Sequence, residues 1–322
     1  MKRYLVTGGS GFIGSALAKS LVDSGNFVRV FDNNSRGNLR RLDSFINKID
    51  FVQGDIRNLS EVSNACKGID SICHLAYVNG TKFFYENPDL VLDVGVKGMI
   101  NIIDAAKENS VKEIVLASSS EVYQTPELIP TPEDASLIVP DPLNPRFSYG
   151  GGKLISELLA INNAKYFEKV LIFRPHNVYG PDMGWEHVIP QFIVRLAEDS
   201  DNFISDSIDF EIQGSGNETR AFIYIDDFIK GLNLVINKGE NLNIYHVGTD
   251  KEISISDLVH QIGTLLNKNI IIRPGSLQHG STLRRCPDIT KLKKLGFNPS
   301  SNLSDGLSKT LEWYLNNLEL KP

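Results

Sequence analysis

Tyr149 and Lys153 stand four residues apart, a spacing that places both side chains on one face of a helix. A free phenol has a pKa near ~10 and is a poor base at neutral pH. A lysine ammonium below it and a second positive charge nearby would favour the phenolate. That phenolate could take the proton of a substrate hydroxyl while hydride leaves the same carbon. Gly150, Gly151 and Gly152 separate the pair, and each glycine costs a helix about 1 kcal/mol relative to alanine. A local rule broken in this way is expected at a functional site, where small residues would let a ligand come close. Ser118-Ser119-Ser120-Glu121-Val122-Tyr123 falls at the carboxyl end of an apolar strand, where open α/β sheets bind ligands. Ser119 can hydrogen-bond the reacting hydroxyl. Glu121 adds a carboxyl group that hydride transfer alone does not need, although a loop glutamate is otherwise an ordinary solvated acid.

A second set of residues could hold the hydride acceptor. Thr7-Gly8-Gly9-Ser10-Gly11-Phe12-Ile13-Gly14 ends a strand and opens a helix, the context this glycine spacing requires. Gly8 suits the tight turn, Gly11 close approach of a pyrophosphate, and Gly14 close helix–strand packing. The first N–H groups of the helix and its dipole would hold the phosphates. Asp32 ends the second strand, where a carboxylate can accept both ribose hydroxyls. It would repel a 2′-phosphate and so favours NAD over NADP, while Arg36 close by works against that preference. Asp55-Ile56, after the third strand, could cap the adenine.

These side chains need an alternating scaffold to position them. Apolar runs at Tyr4–Val6, Val28–Phe31, Phe51–Val52, Ser71–Ala76, Glu113–Ala117 and Val170–Phe173 read as strands. Strands this apolar are covered on both faces, as in a parallel sheet with helical crossovers. Helical patterns at Phe12–Val22 and Leu90–Glu108 alternate with them, and another follows from Tyr149. The fold class is therefore α/β, a Rossmann-type doubly wound sheet. Helices are also expected at Pro190–Ala197, Asp226–Ile236, Ser256–Leu266 and Leu303–Leu318. The proline-rich stretch from Gln124 to Phe147 is a long loop, and such loops are usually functional or disordered.

With 322 residues, the chain has room for one large or two modest domains at roughly 150 residues each. Its 33 Lys plus Arg against 39 Asp plus Glu give a net charge of −6, which disfavours a nucleic-acid partner. No apolar run reaches the ~18 residues of a membrane helix, and the start turns polar too soon for a signal peptide. Cys66, Cys73 and Cys286 lack metal-ligand spacing, as do the six histidines. No metal is expected, and the cysteines suit a reducing cytoplasm.

Taken together, these motifs resemble the extended short-chain dehydrogenase/reductases, specifically the NAD-dependent nucleotide-sugar epimerase/dehydratase family. The resemblance rests on Thr7–Gly14, Asp55-Ile56, His74-Leu75-Ala76, Ser118–Tyr123, Tyr149 with Lys153, and Arg174-Pro-His-Asn-Val-Tyr-Gly-Pro181. It continues through Gly214-Ser-Gly, Thr219-Arg220-Ala-Phe222 and Arg285-Cys-Pro-Asp-Ile289. It implies an NAD that takes hydride from C4 of a nucleotide-diphosphate sugar and usually returns it. Ser119, Tyr149 and Lys153 fall on the family's catalytic positions, with Glu121 beside them. The cofactor residues are then Gly8, Gly11, Phe12, Ile13, Gly14, Asp32, Asn33, Asp55, Ile56, Leu75, Ala76, Ser118, Tyr149 and Lys153. Ser119, Ser120, Asn177, Arg220 and Arg285 would contact the substrate, the last three at its diphosphate, which guanidinium forks and amide donors suit.

The resemblance divides the chain into an NAD-binding domain, 1–175, and a mainly nucleotide-sugar-binding part, 176–322, with segments near 220–248 returning to the first. It also implies a homodimer through the helices Leu90–Glu108 and Tyr149–Phe167. A 4-epimerase is the first expectation, because that activity spreads most broadly in the family. Glu121 argues instead for a 4,6-dehydratase or a UDP-glucuronate decarboxylase. Net C4 oxidation or reduction and a non-catalytic NAD(H) sensor complete the alternatives. The chain departs from the family pattern at Tyr77, Gly95, Gly152, His176 and Gly184-Trp185-Glu186-His187. Trp185 and His187 either touch a distinctive sugar or pack the loop.

Overall fold

The computed structural model describes residues 1–202, 207–276 and 282–321. Seven parallel strands form the central sheet: β1 Arg3–Thr7, β2 Phe27–Asp32, β3 Asp50–Gln53, β4 Ser71–His74, β5 Glu113–Ala117, β6 Lys169–Pro175 and β7 Asn243–Val247. Their order across the sheet is β7-β6-β5-β4-β1-β2-β3. The first six match the apolar runs of the sequence, and β7 joins through its register with β6, Tyr245 opposite Phe173. The strand order reverses between β1 and β4, which opens a crevice at the carboxyl ends of the strands.

Two apolar layers sandwich the sheet, each filled by one face of its strands. On one side Leu17 and Leu21 of helix Phe12–Asp23 and Phe228 and Leu232 of helix Ile225–Lys238 pack with Val6, Val28 and Phe173. On the other, helices Leu59–Cys66, Gly98–Glu108 and Ser148–Asn162 cover Leu5, Ile72, Ile114 and Ile172. Cys66, Cys73 and Cys286 are buried free thiols. Among the described residues no helix is long and apolar enough to cross a membrane, and no cluster of His, Cys, Asp or Glu could hold a metal ion.

The helix expected over Leu90–Glu108 differs in its first half. It is interrupted by a wide π turn at Asp93–Lys97, between helices Pro88–Leu92 and Gly98–Glu108. Hydrophobic spacing barely distinguishes a single π turn from the α-helix around it, so the pattern could not report it. Helix Ser148–Asn162 also stops short of Phe167, with a separate 3₁₀ turn at Ala164–Tyr166.

Beyond β6 the chain builds smaller pairings. Ser207–Ile212 runs parallel to Asn269–Pro274. Thr219–Arg220 lies between Ile253–Ser254 and Arg284–Arg285. The proline-rich loop fastens onto the segment that carries Arg285: the Thr131 N–H donates to the Cys286 carbonyl at 2.8 Å, and the Thr282 hydroxyl to the Gln124 carbonyl at 3.0 Å. This long loop therefore holds a distant arginine against the end of the sheet.

Candidate active site

Nearly every residue picked from the sequence lines one cavity of about 470 Å³ at the carboxyl ends of the strands. It brings together Gly8, Gly11, Phe12, Ile13, Gly14, Asp32, Asn33, Asp55, Ile56, Leu75, Ala76, Ser118, Ser119, Ser120, Glu121, Tyr149, Lys153, Asn177 and Arg285. Arg220 stands behind this lining, its guanidinium donating to the Thr219 and Thr282 carbonyls at 2.8 and 2.7 Å. Tyr77, Val78, Phe84 and Glu186 also line the cavity. Sequence spacing gave them no cofactor or substrate role.

One end of the cavity is built from backbone. Gly8 has φ +71°, and a Cβ there would come within 2.7 Å of the Ala76 nitrogen, so both conformation and space require glycine. A Cβ on Gly14 would overlap the Gly8 carbonyl. The helix starting at Phe12 has no side-chain cap and no acid in its first turn, which leaves its positive end for an anion. The Asp32 carboxylate is fixed by the N–H groups of Ser10 and Asn34 at 3.0 and 2.9 Å, and its remaining lone pairs can accept ribose hydroxyls. Asn33 donates to Asp55 at 3.1 Å, and the Arg57 guanidinium beside Asp55 holds that carboxyl down to about 2. Arg36 is paired with Glu186 across the groove, its guanidinium 4.6 Å from the Phe83 ring centre. Its charge is already engaged there, and a 2′-phosphate would have to compete for it. The glycine cradle, the uncapped helix end and Asp32 all fit NAD.

At the centre, the Ser119 hydroxyl accepts from the Glu121 N–H at 3.1 Å and lies near the Tyr149 phenol. Burial pushes that phenol well above its usual range; the neighbouring Ser119 hydroxyl partly offsets the rise and the Glu121 charge adds to it. Lys153 donates to the Ala117 carbonyl at 2.6 Å. Burial pushes its ammonium down to about 7, against the pull of Glu157. Ser118 donates to Glu157, which is locked with Arg174 at 2.6 Å in a buried ion pair under the site. The three glycines correct an expectation. Gly150 admits the Glu121 carbonyl and the Gln124 side chain, and Gly152 admits the Tyr77 hydroxyl. The space they open at these two positions is taken by the protein itself.

Charged side chains close the far end. Arg285 donates to Glu121 at 2.6 Å and to the Thr282 hydroxyl at 3.1 Å. Arg285 lies beside Arg220 in a parallel pairing, and adjacent like charges repel. Burial and the neighbouring Arg285 bring Arg220 down to about 10. Among the described residues the buried Nε atoms of Arg285 and Arg146 have no partner. Burial works to raise the Glu121 carboxyl, but Arg285, Arg146 and Arg220 hold it below its ordinary value. Of the loop residues in question, Trp185 packs on Trp313 and Tyr314, with ring centres 6.1 and 4.7 Å away, whereas His187 lines the cavity. His176 is buried against His246.

This fold and groove define a dinucleotide-dependent enzyme, and comparison with known proteins is more specific. The NAD dependent epimerase/dehydratase family model matches residues 4–248. A candidate UDP-glucose 4-epimerase of Methanocaldococcus jannaschii is 33% identical over 97% of this chain and 98% of its own. A UDP-N-acetyl-alpha-D-glucosaminuronate decarboxylase of Bacillus cytotoxicus is 31% identical over the same shares. The solved structure of a dTDP-glucose 4,6-dehydratase from Streptomyces venezuelae, with NAD bound, has a TM-score of 0.87 at 28% identity over 98% of both chains. The chain belongs to the NAD-dependent epimerase/dehydratase family and is an NAD-dependent enzyme of that family. These three relatives carry three different reactions.

Proposed function

We propose that the enzyme oxidises C4 of a nucleotide-diphosphate hexuronate and decarboxylates the resulting keto sugar. The observation that carries this reading is the Glu121–Arg285 pair beside Ser119 and Tyr149, with a buried guanidinium nitrogen on Arg285 that has no partner among the described residues. Ser119 orients the 4-hydroxyl and Tyr149 takes its proton. Burial pushes that phenol up, so the Lys153 ammonium and the positive charge of bound NAD are what would favour the phenolate. NAD, which the glycine turn, the start of helix Phe12–Asp23 and Asp32 would hold, would supply the hydride acceptor for C4 and the later donor.

Oxidation at C4 makes the C6 carboxylate part of a β-keto acid. The C5–C6 bond then breaks, its electron pair moves toward the C4 oxygen, and carbon dioxide leaves. Ser119 and the Tyr149 phenol donate to that oxygen as its charge develops. Arg285 orients the carboxylate before it departs. A proton at C5 and hydride at C4 complete a cycle with no net oxidation. Ser120 contacts the sugar, and Asn177 and Arg220 serve the diphosphate.

Epimerisation, the first expectation from the sequence, requires the keto sugar to present its opposite face. Glu121 and Arg285 are paired inside the cavity in which it would have to turn, so this reading stands second. Dehydration would use Glu121 as acid and base, and a carboxylate held low by three arginines serves poorly in the acid half. Among the relatives, the decarboxylase of Bacillus cytotoxicus accords with this reading of decarboxylation and the candidate 4-epimerase of Methanocaldococcus jannaschii with the second.

A homodimer through the paired helices accords with the exposed Leu92, Ile155, Leu158 and Ile161. Light scattering of the wild type and of Leu158→Glu tests it; an unchanged monomeric mass in both would overturn it.

The reaction is tested by mass spectrometry after incubation with NAD and a panel of UDP-, GDP-, CDP- and dTDP-sugars that includes hexuronates. Loss of carbon dioxide from a hexuronate is expected. An unchanged mass at a new retention time would replace the reading with epimerase, and loss of water with dehydratase. No turnover in wild type, with NAD bound, would favour the sensor.

A further inference from the structure

Three departures from the family pattern, Tyr77, Gly95 and Gly152, meet at one point behind the Tyr149–Lys153 pair. A Cβ on Gly95 or on Gly152 would overlap the Tyr77 hydroxyl. The two glycines thus open the slot into which this side chain extends, and the π turn at Asp93–Lys97 forms one of its walls. The hydroxyl is buried and has no hydrogen-bond partner among the described residues, so the phenol's polar end does not explain why a tyrosine is there. The ring makes the contacts. The Lys153 ammonium lies 4.0 Å from its centre, nearer than the 5.8 Å to the Tyr149 ring. Tyr149 meets Tyr77 edge-on at 5.1 Å and stacks on Phe84 at 4.8 Å.

We propose that Tyr77 is a positioning residue for the reacting pair, its ring face carrying the Lys153 ammonium and its edge fixing the Tyr149 ring, with Gly95 and Gly152 as the clearance that admits it. The inference rests on the reading of Tyr149 and Lys153 as the reacting groups. An aromatic face stabilises a buried cation, and two rings at this angle fix each other's orientation. An aliphatic side chain of similar bulk would exclude water equally well but offers no such face. Loss of the ring therefore disfavours the ammonium. It thereby disfavours the Tyr149 phenolate too, and the limb of kcat that rises with pH moves to higher pH.

The test compares Tyr77→Phe with Tyr77→Leu in the NAD-loaded enzyme. Tyr77→Leu is expected to turn over about thirtyfold more slowly than Tyr77→Phe, the size of a desolvated cation–π contact. Its rising limb should lie at higher pH, with KM for the nucleotide sugar and Tm alike in the two variants. Equal kcat and equal pH profiles would reduce Tyr77 to filler and overturn the proposal.

The glycines supply a second measurement. In Gly152→Ala the new methyl strikes only the hydroxyl closely, the next Tyr77 atom being 3.5 Å away. Turnover lost in Gly152→Ala should therefore return in Gly152→Ala/Tyr77→Phe. In Gly95→Ala the methyl would also meet the ring carbons, so Tyr77→Phe should not rescue it. Such non-additivity marks residues in contact; additive losses in both pairs would contradict the slot. Tyr149→Phe is run alongside. If it retains turnover, the assignment of the reacting pair fails, whereas an inactive Tyr149→Phe with equal Phe and Leu variants at position 77 refutes only the role of Tyr77.

Discussion

The two ends of the cavity are made differently. The cofactor end is backbone and small residues: Gly8, Gly11 and Gly14 lie within one turn and one helix start, and Asp32 ends the adjacent strand. The far end is a convergence of charged side chains. Arg285 reaches Glu121 across 164 positions of sequence, and Arg220 becomes its neighbour only because two short strands pair in register. The first construction presents a fixed shape to a constant ligand. The second can be retuned by single substitutions, which suits a family whose members share NAD and differ in the fate of the sugar.

The sharpest way to break this comparison lies where the two ends meet. Tyr149→Phe should lower kcat by about 10³, in the range of a lost general base, while the protein keeps its NAD. Ultrafiltration with cofactor quantitation checks the second half. Loss of both together would mean that Tyr149 belongs to the cofactor end alone.

Next in size is Arg285→Met. It removes the fork that holds Glu121 and leaves that carboxylate buried among fewer cations, so its proton is held more tightly. A fall of about 10² in kcat/KM for the hexuronate is expected, with NAD affinity unchanged. Competition assays with UDP alone separate diphosphate binding from sugar chemistry. If UDP affinity falls as far as kcat/KM, Arg285 serves the diphosphate rather than the sugar. By contrast, Asp32→Asn should act on the cofactor only. Losing a charged acceptor for two hydroxyls costs about tenfold in NAD affinity, visible by calorimetry, with kcat at saturating NAD preserved.

The same contrast explains what the sequence could reveal. The strands of the sheet and the glycine cradle are legible because each is written within a dozen residues by apolar runs, turn glycines and a following helix. Ser119, Tyr149 and Lys153 are legible because strand end and helix spacing place them. The Glu121–Arg285 pair is not, since no local pattern records which loop returns to the sheet. Gly150 and Gly152 read as clearance for a ligand until their neighbours, the Glu121 carbonyl and the Tyr77 hydroxyl, are in view. Tyr77 itself carries no spacing signal. Its only trace is that a large residue stands in a loop while two distant positions shrink to glycine.

The smallest expected effect concerns protonation on the two sides. His74 ends β4 behind the cofactor groove, its Nδ1 paired with the Thr7 hydroxyl at 2.8 Å. His246 lies behind the far end, between the Tyr123 hydroxyl at 2.6 Å and the Asp288 carbonyl at 2.9 Å. Burial pushes both imidazoles down to about 3, against an ordinary value near ~6.5. Between those values the unfolded chain binds protons that the folded chain does not, so stability rises with pH across this window. The contribution is complete above about pH 6.5 and is lost as pH falls toward 3. Each histidine contributes at most about 1.4 kcal/mol per pH unit. Tm measured from about pH 7 down to about pH 4 should decline, and His74→Gln and His246→Gln should each flatten the slope by a similar amount. A slope that only His246→Gln flattens would mean that the imidazole behind the cofactor groove takes up a proton while folded, and that the backbone-built end is the more yielding of the two.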